Sequence, residues 1–245
     1  MTERLDKFIA TQKCMPRSEV RKLVTKGCVR VDGMVIKKAD TKIDPQLNAV
    51  TLFGETIFYN QFVYIMLNKP KGVLSAARDS YRKTVVDLVP PELYRKDLFP
   101  VGRLDKDTTG LLLITDDGDF SHYVISPKSG FDKKYKVVLD GAVTDEIVSR
   151  FKEGITLADG TQCLPAELSY DSDNPTHATV TIKEGKYHQI KRMFGVVGLG
   201  VEGLHRESIG DVVLDRELSE GECRPLTTEE LDKLYGKYKK INNNS

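Results

Sequence analysis

The chain's 245 residues are 40% hydrophobic and 30% charged, the balance of a water-soluble globular protein long enough for one large domain or a small and a medium one. No apolar run approaches the length of a bilayer span, the longest resembling Val63–Leu67, and Met1–Lys7 lacks the apolar core of a secretory leader, so a soluble cytoplasmic protein without a membrane partner is expected. Four cysteines and four histidines share neither disulfide nor metal-ligand spacing, which argues for reduced thiols and against a structural zinc site, while the net charge of +1 does not by itself suggest nucleic acid.

The distribution of charge does suggest it. Residues 1–59 hold 11 Lys/Arg and 7 Asp/Glu, a balance of +4, and the remainder 26 and 29, a balance of −3. A basic amino-terminal module on a faintly acidic body suits a polyanion partner for that module. Leu5, Phe8 and Ile9, at i, i+3, i+4 spacing, predict a short amphipathic helix. A second helix opens at Pro16-Arg17-Ser18-Glu19 with Ser18 as candidate cap, carries Val20, Leu23 and Val24 as its apolar stripe, and stops at Gly27. Arg17, Arg21, Lys22 and Lys26 lie off that stripe. Val29–Ile36 reads as two alternating runs about an Asp32-Gly33 turn, a hairpin signal; Asp44–Asn48 is a turn and Val50–Gly54 a closing strand. Two helices followed by this Val-Arg-Val-Asp-Gly hairpin resemble the S4 RNA-binding domain. The resemblance implies that the basic helix, with Arg30 of the hairpin, lies along RNA phosphates and that binding weakens steeply with salt. Surface helices carry Lys and Arg routinely, so the hairpin is what favours RNA contact.

Asn60-Gln61 reads as a linker, and Phe62–Leu67 as a buried strand ended by Asn68-Lys69-Pro70-Lys71-Gly72. Residues 76–97 mix charge, turn residues and a short helix, and are read as a mobile basic loop touching RNA. Gly102-Arg103-Leu104-Asp105-Lys106-Asp107-Thr108-Thr109-Gly110 then feeds the apolar run Leu111–Ile114, a turn entering a buried strand that ends at Thr115–Asp119. Such a turn sets Arg103 and Asp105 at a strand mouth, where a cation and a carboxylate can face one cleft, although Asp in a Gly/Thr turn commonly bonds its own backbone. Phe120–Ser126 is a helix stopped before Pro127, Lys133–Leu139 an alternating strand with Tyr135 as a half-buried aromatic, and Val143–Lys152 a helix. Leu164–Tyr170 and Ala178–Ile182 alternate as strands. Glu184–Phe194 reads as a turn, a strand end and the start of a basic amphipathic helix with Ile190, Met193 and Phe194 inward. Leu204–Gly210 and Leu214–Leu218 supply final strands, and Gly221–Thr227 leads into a helix capped by Thr227 or Thr228 with Glu229 and Glu230 in its first turn. Lys237–Ser245 is a polar, Asn-rich tail. No Walker motif or dinucleotide fingerprint is present.

Gly102-Arg103-Leu104-Asp105, Thr108–Leu113 and Thr115-Asp116-Asp117-Gly118 resemble the signature of the RsuA/RluB/RluE/RluF group of pseudouridine synthases. The Asn68–Gly72 turn, Glu184-Gly185-Lys186-Tyr187-His188-Gln189-Ile190-Lys191-Arg192-Met193-Phe194, Arg206–Gly210 and Gly221–Glu230 carry the resemblance across nearly the whole chain. It implies an α+β protein: an S4-like RNA-binding domain at 1–59, a linker at 60–61, a pseudouridine synthase domain at 62–236 with a largely antiparallel or mixed sheet flanked by helices, and a flexible tail at 237–245. The implied reaction isomerises a uridine of ribosomal RNA, with no cofactor and no metal. The resemblance makes Asp105 the nucleophile or base, acting at ribose or uracil. It makes Lys191 (or its neighbour Arg192) the cation that keeps Asp105 ionised and aimed, and Tyr135 the ring packed on the target uracil. Arg103 is the candidate to fill the gap left by the extruded base. Lys69, His188, Gln189 and Arg192 join Arg17, Arg21, Lys22, Lys26 and Arg30 as RNA contacts. Tyr64–Pro70, His122 and Leu204–Glu207 look most similar to the group member acting on 16S rRNA, at uridine 516 in the usual rRNA numbering; 23S rRNA is the alternative target. The expected partner is rRNA, free or in a ribosomal assembly intermediate, and not DNA. Two rivals come from other classes: a catalytically silent rRNA-binding or ribosome-assembly factor, and a metal-dependent phosphodiesterase built on Asp105, Asp107, Asp116, Asp117 and Asp119.

Overall fold

A computed structural model describes residues 2–242, with side chains described to residue 236. The chain divides into two units, Met1–Val63 with Pro90–Asp97 and Tyr64–Val89 with Leu98–Ser245. The first therefore takes in a returning segment that a linear boundary at residues 60–61 omits. That segment is tied in by Arg95, which donates to the carbonyls of Gln61 and Asn60 at 3.1 and 2.8 Å, and by Cys14, whose thiol meets the Tyr94 carbonyl.

The first unit comprises β1 (Glu3–Arg4), α1 (Leu5–Gln12), α2 (Arg17–Thr25), β2 (Val29–Val31), β3 (Met34–Val35), β4 (Lys42–Ile43), β5 (Val50–Leu52) and β6 (Glu55–Ile57). The stripes foreseen on the two helices, Leu5, Phe8 and Ile9 with Val20 and Val24, close over Val29, Val31, Val50, Leu52 and Ile57 of a four-stranded sheet ordered β3-β2-β5-β6. Asp32 and Gly33 both have positive φ (50° and 82°), the backbone of a primed two-residue hairpin turn. Phe53 and Gly54 make a second turn with positive φ at both residues, leading into β6, a strand absent from the sequence reading. Ser18 does not cap α2. The helix starts at Arg17 immediately after Pro16, whose fixed φ of −59° leads the chain in, and no side chain caps it.

The second unit comprises β7 (Tyr64–Lys69), β8 (Phe99–Pro100), β9 (Thr109–Thr115), α3 (Gly118–Ile125), β10 (Lys133–Leu139), α4 (Asp145–Glu153), β11 (Glu167–Tyr170), β12 (His177–Ile182), α5 (Gln189–Val196), β13 (Val201–Ile209), β14 (Val212–Val213), β15 (Cys223–Pro225) and α6 (Thr228–Asn242). Its nine-stranded sheet runs β11-β12-β10-β13-β9-β7-β15, with β14 added to β13 and β8 to β9. The β13–β9 pair is parallel and the others antiparallel, so the sheet is mixed. Leu111–Ile114 of β9 is buried throughout because both faces of this central strand are covered, the Leu111/Leu113 side by Phe120 and Val124 of α3 and Leu234 of α6. At the sheet's other half β10 alternates, burying Tyr135, Val137 and Leu139.

Four local readings change. Leu214–Leu218 is not a strand, since β13 turns at Gly210-Asp211 into the short β14. Cys223–Pro225, read as a lead into the last helix, pairs with β7 as β15. Residues 76–97 are not one free loop: Thr84, Val85, Val86 and Val89 are buried, leaving 77–83 exposed. The backbone of α6 continues to Asn242, through most of the expected tail; residues 243–245 lie outside the described ones. Among the described residues no helix is long and apolar enough to cross a membrane.

Candidate active site

The loop carrying Asp105 is held from beneath by the Asn68–Gly72 turn. Lys69 is fully buried at the end of β7, and its ammonium donates to the carbonyls of Pro70, Lys106 and Thr108 at 3.0, 3.3 and 2.9 Å. Gly72 N–H adds a bond to the Lys106 carbonyl at 2.7 Å, and Ser75 bonds both backbone groups of Leu104. Burial pushes the Lys69 pKa down to about 8, with the Asp107 and Asp105 carboxylates opposing that shift. Lys69 therefore cannot be the RNA contact the sequence suggested; a buried ammonium spent on three loop carbonyls fixes the loop instead. Where the loop enters β9, Gly110 has φ +97° and lies so close to Arg206 of β13 that a Cβ would stand 2.3 Å from its carbonyl oxygen.

Asp105 faces an open cleft shared with Arg103, Thr108, Tyr135, His188 and Lys191. Its side chain is 28% exposed; His188 Nε2 lies 3.4 Å from one carboxylate oxygen and Lys191 Nζ 3.9 Å from the other. Lys191 makes its short contact, 2.6 Å, with Asp107. One ammonium thus serves two carboxylates, and its hydrogen bond holds the Asp107 carboxyl below the usual range against the opposing effect of burial. Arg192 turns elsewhere, to Asp159 at 2.5 Å, as expected of successive helix residues about 100° apart. Tyr135, 7% exposed, presents itself to the cleft from β10. Arg103 is exposed at the rim.

Lys191 and Arg192 come from the first turn of α5 and His188 from the turn that leads into it. Gln189, placed among the RNA contacts by sequence, is 3% exposed and fastens that turn: it donates to Glu184 at 2.8 Å and accepts from Lys186 N–H at 2.9 Å. His188 precedes the helix in the left-handed region (φ 48°, ψ 35°). Neither its contact with Asp105 nor the Asp107 contact of Lys191 was foreseen, because both require knowing how α5 meets the β9 loop.

In the amino-terminal unit Arg17 and Arg21 are not free cations. Together with Arg4 they bond Asp6, fully buried, at 2.7, 2.9 and 3.1 Å, while remaining about half exposed themselves. Burial raises the Asp6 pKa, but the three guanidinium bonds outweigh it and hold the carboxyl below its ordinary value. Lys22 and Lys26 are exposed, and exposed Arg30 donates to the Gly33 carbonyl at 3.0 Å.

The five carboxylates of the phosphodiesterase reading do not converge. Asp105 and Asp107 precede β9, whereas Asp116 and Asp117 follow its end, roughly 20 Å along a seven-residue strand. Asp117 is occupied: it accepts from the Tyr64 and Tyr235 hydroxyls, both at 2.7 Å, and caps α3 through Phe120 N–H at 3.0 Å.

Two family models match the chain: RNA pseudouridylate synthase over residues 63–195 and the S4 domain over residues 3–47. An uncharacterized RNA pseudouridine synthase, YtzG, of Bacillus subtilis is 44% identical over 94% of this chain and 98% of its own. The ribosomal small subunit pseudouridine synthase A of Vibrio cholerae is 42% identical over 95% and 99%. A crystal structure of a pseudouridylate synthase superposes with a TM-score of 0.65 at 38% identity, covering 95% of this chain and 99% of that one. With a synthase domain and an amino-terminal S4 domain both matched, and relatives alike over almost their full length, the chain belongs to the RNA pseudouridylate synthase family and is a pseudouridine synthase.

Proposed function

We propose that this pseudouridine synthase acts on ribosomal RNA, on a single uridine of 16S rRNA, uridine 516 in the usual rRNA numbering. The relatives named ribosomal small subunit pseudouridine synthase A support the choice of subunit. The observation that carries the catalytic assignment is Asp105 lying in an open cleft between His188 and Lys191, with Tyr135 on the wall. In the reaction the bond from ribose C1′ to N1 breaks, the uracil turns, and C1′ bonds C5; C5 loses a proton and N1 gains one, so composition is unchanged. Asp105 is the nucleophile or base of this sequence, at ribose or uracil. Lys191 keeps its carboxylate charged when a bound base excludes water, and Tyr135 packs on the uracil. Arg103, at the rim, fills the gap in the RNA stack. Extruding the nucleotide costs a few kcal/mol, which phosphate contacts of Lys22, Lys26 and Arg30 help offset. Such a substrate places the enzyme in the cytoplasm.

Tritium release from C5-labelled uridine in 16S and 23S transcripts tests the reading. Release from 16S by the wild type, and its loss in Asp105→Asn, is expected. Release from 23S alone moves the target to the large subunit, and no release from either favours a silent assembly factor. Pseudouridine mapping in rRNA from cells lacking the protein identifies the nucleotide, and assay of assembly intermediates beside naked transcript identifies the form of substrate used.

A further inference from the structure

Tyr187 is 76% exposed, yet its ring is not loose. It lies flat on the His188 imidazole, with centroids 3.9 Å apart and planes 17° from parallel. His188 in turn stands 3.4 Å from Asp105, so the pair forms one aromatic step at the cleft. The backbone beneath is secured: Arg192, anchored on Asp159, donates to the Tyr187 carbonyl at 3.4 Å. The left-handed φ of His188, uncommon for a residue with a Cβ, projects both rings from the turn instead of continuing the helix. A single exposed aromatic needs no explanation by itself. A strained backbone that stacks one ring on another, next to the carboxylate, does.

We propose that Tyr187 and His188 form a stacking platform, and that the outer face of Tyr187 receives the nucleobase flanking the target uridine. Turning a uridine out of an RNA stack strips one face of each neighbour. A flat ring fixed beside the cleft restores that contact and tolerates any base, because every base has a π-face. The assignment deepens the proposed function and rests on RNA being the substrate.

The test is a cycle of two changes on a 16S fragment in which the wild-type enzyme forms pseudouridine; that wild-type activity checks the parent reading independently. Tyr187→Ala is expected to raise KM roughly 5- to 150-fold, the range of one base–aromatic stack. Tyr187→Phe, which keeps the ring, recovers most of that loss. On a fragment whose flanking nucleotide is abasic on the platform side, the Ala and wild-type enzymes become equal within about two-fold. Because the ring is mostly exposed, the melting temperature of each variant stays near that of the wild type, which separates binding from folding. A KM within two-fold of wild type for Tyr187→Ala, or a loss that persists in full with either flanking base removed, overturns the proposal.

Discussion

Gly110→Ala should damage this enzyme at a point five residues from Asp105, through geometry alone. The new Cβ would stand 2.3 Å from the Arg206 carbonyl oxygen and 2.8 Å from its nitrogen, both backbone atoms that no rotamer change can remove. Restoring an ordinary contact of about 3.4 Å requires β9 and β13 to part by roughly 1 Å, at the parallel pairing of Gly110 with Arg206. The φ of +97° adds strain for any residue but glycine. Backbone strain of about 1–3 kcal/mol and a similar cost for overpacking give roughly 2–6 kcal/mol, a large part of a typical domain's stability. Since a misplacement of about 1 Å can cost on the order of 100-fold in rate, activity should fall even where the variant remains folded. Gly118→Ala is the control: it lies in open space at ordinary φ and should change stability by less than about 0.5 kcal/mol. Urea unfolding of both variants, with single-turnover pseudouridine formation below the transition, reads the two effects. A Gly110→Ala protein within 1 kcal/mol of wild type and fully active would refute the close-approach account.

Three further outcomes follow from the charges. Lys69→Met removes the ammonium from the Pro70, Lys106 and Thr108 carbonyls, of which that of Lys106 keeps the Gly72 N–H, and should destabilise the synthase domain by roughly 2–3 kcal/mol. Because the folded pKa of Lys69, about 8, lies below its ordinary 10.5, its charged form is penalised most below pH 8; the penalty is relieved as pH rises from 8 to 10.5, a gain in stability that Lys69→Met should lack and that denaturant midpoints across this window will show. The Asp6 carboxyl is held below its ordinary 3.8, so its stabilisation is full above about pH 4 and lost as pH falls through the lowered value. Asp6→Asn should remove that acid dependence and expose the amides of α1 and α2 to faster hydrogen exchange by about 2 kcal/mol, and unchanged protection would contradict the three-arginine anchor. Lys191→Met should lower single-turnover rates by about 100-fold, whereas Asp107→Asn, which frees the same ammonium for Asp105, should cost less than about 10-fold; equal losses would mean that the Asp107 pair is the functional one.

Elements written by near neighbours were readable from the chain itself. The stripe Leu5, Phe8, Ile9 makes a helix face within two turns, Asp32-Gly33 makes its own hairpin turn, and Lys133–Leu139 alternates because a strand's period is two. Thr227 caps α6 through a reciprocal pair of bonds with Glu230, three residues on. The resemblance of the Asp105 loop and of Glu184–Phe194 also brought Asp105, Tyr135 and Lys191 into consideration, and all three line one cleft.

Other properties depended on which distant segments meet. Lys69 and Lys22 are the same residue type, yet one is sealed beneath a loop supplied by residues 106–108 and the other faces water. Lys191 and Arg192 are adjacent cations; the packing of α5 aims one at Asp105 and Asp107 and the other at Asp159. Gln189 looked like a polar contact until Glu184 and the Lys186 amide enclosed it. Local pattern sets backbone period and turn type through sterics within a few bonds, so it can be read in one dimension. Burial, ion pairing and the direction a side chain faces are set by neighbours tens of residues away, and only the assembled sheet of β9, β10 and β13 with α5 determined them.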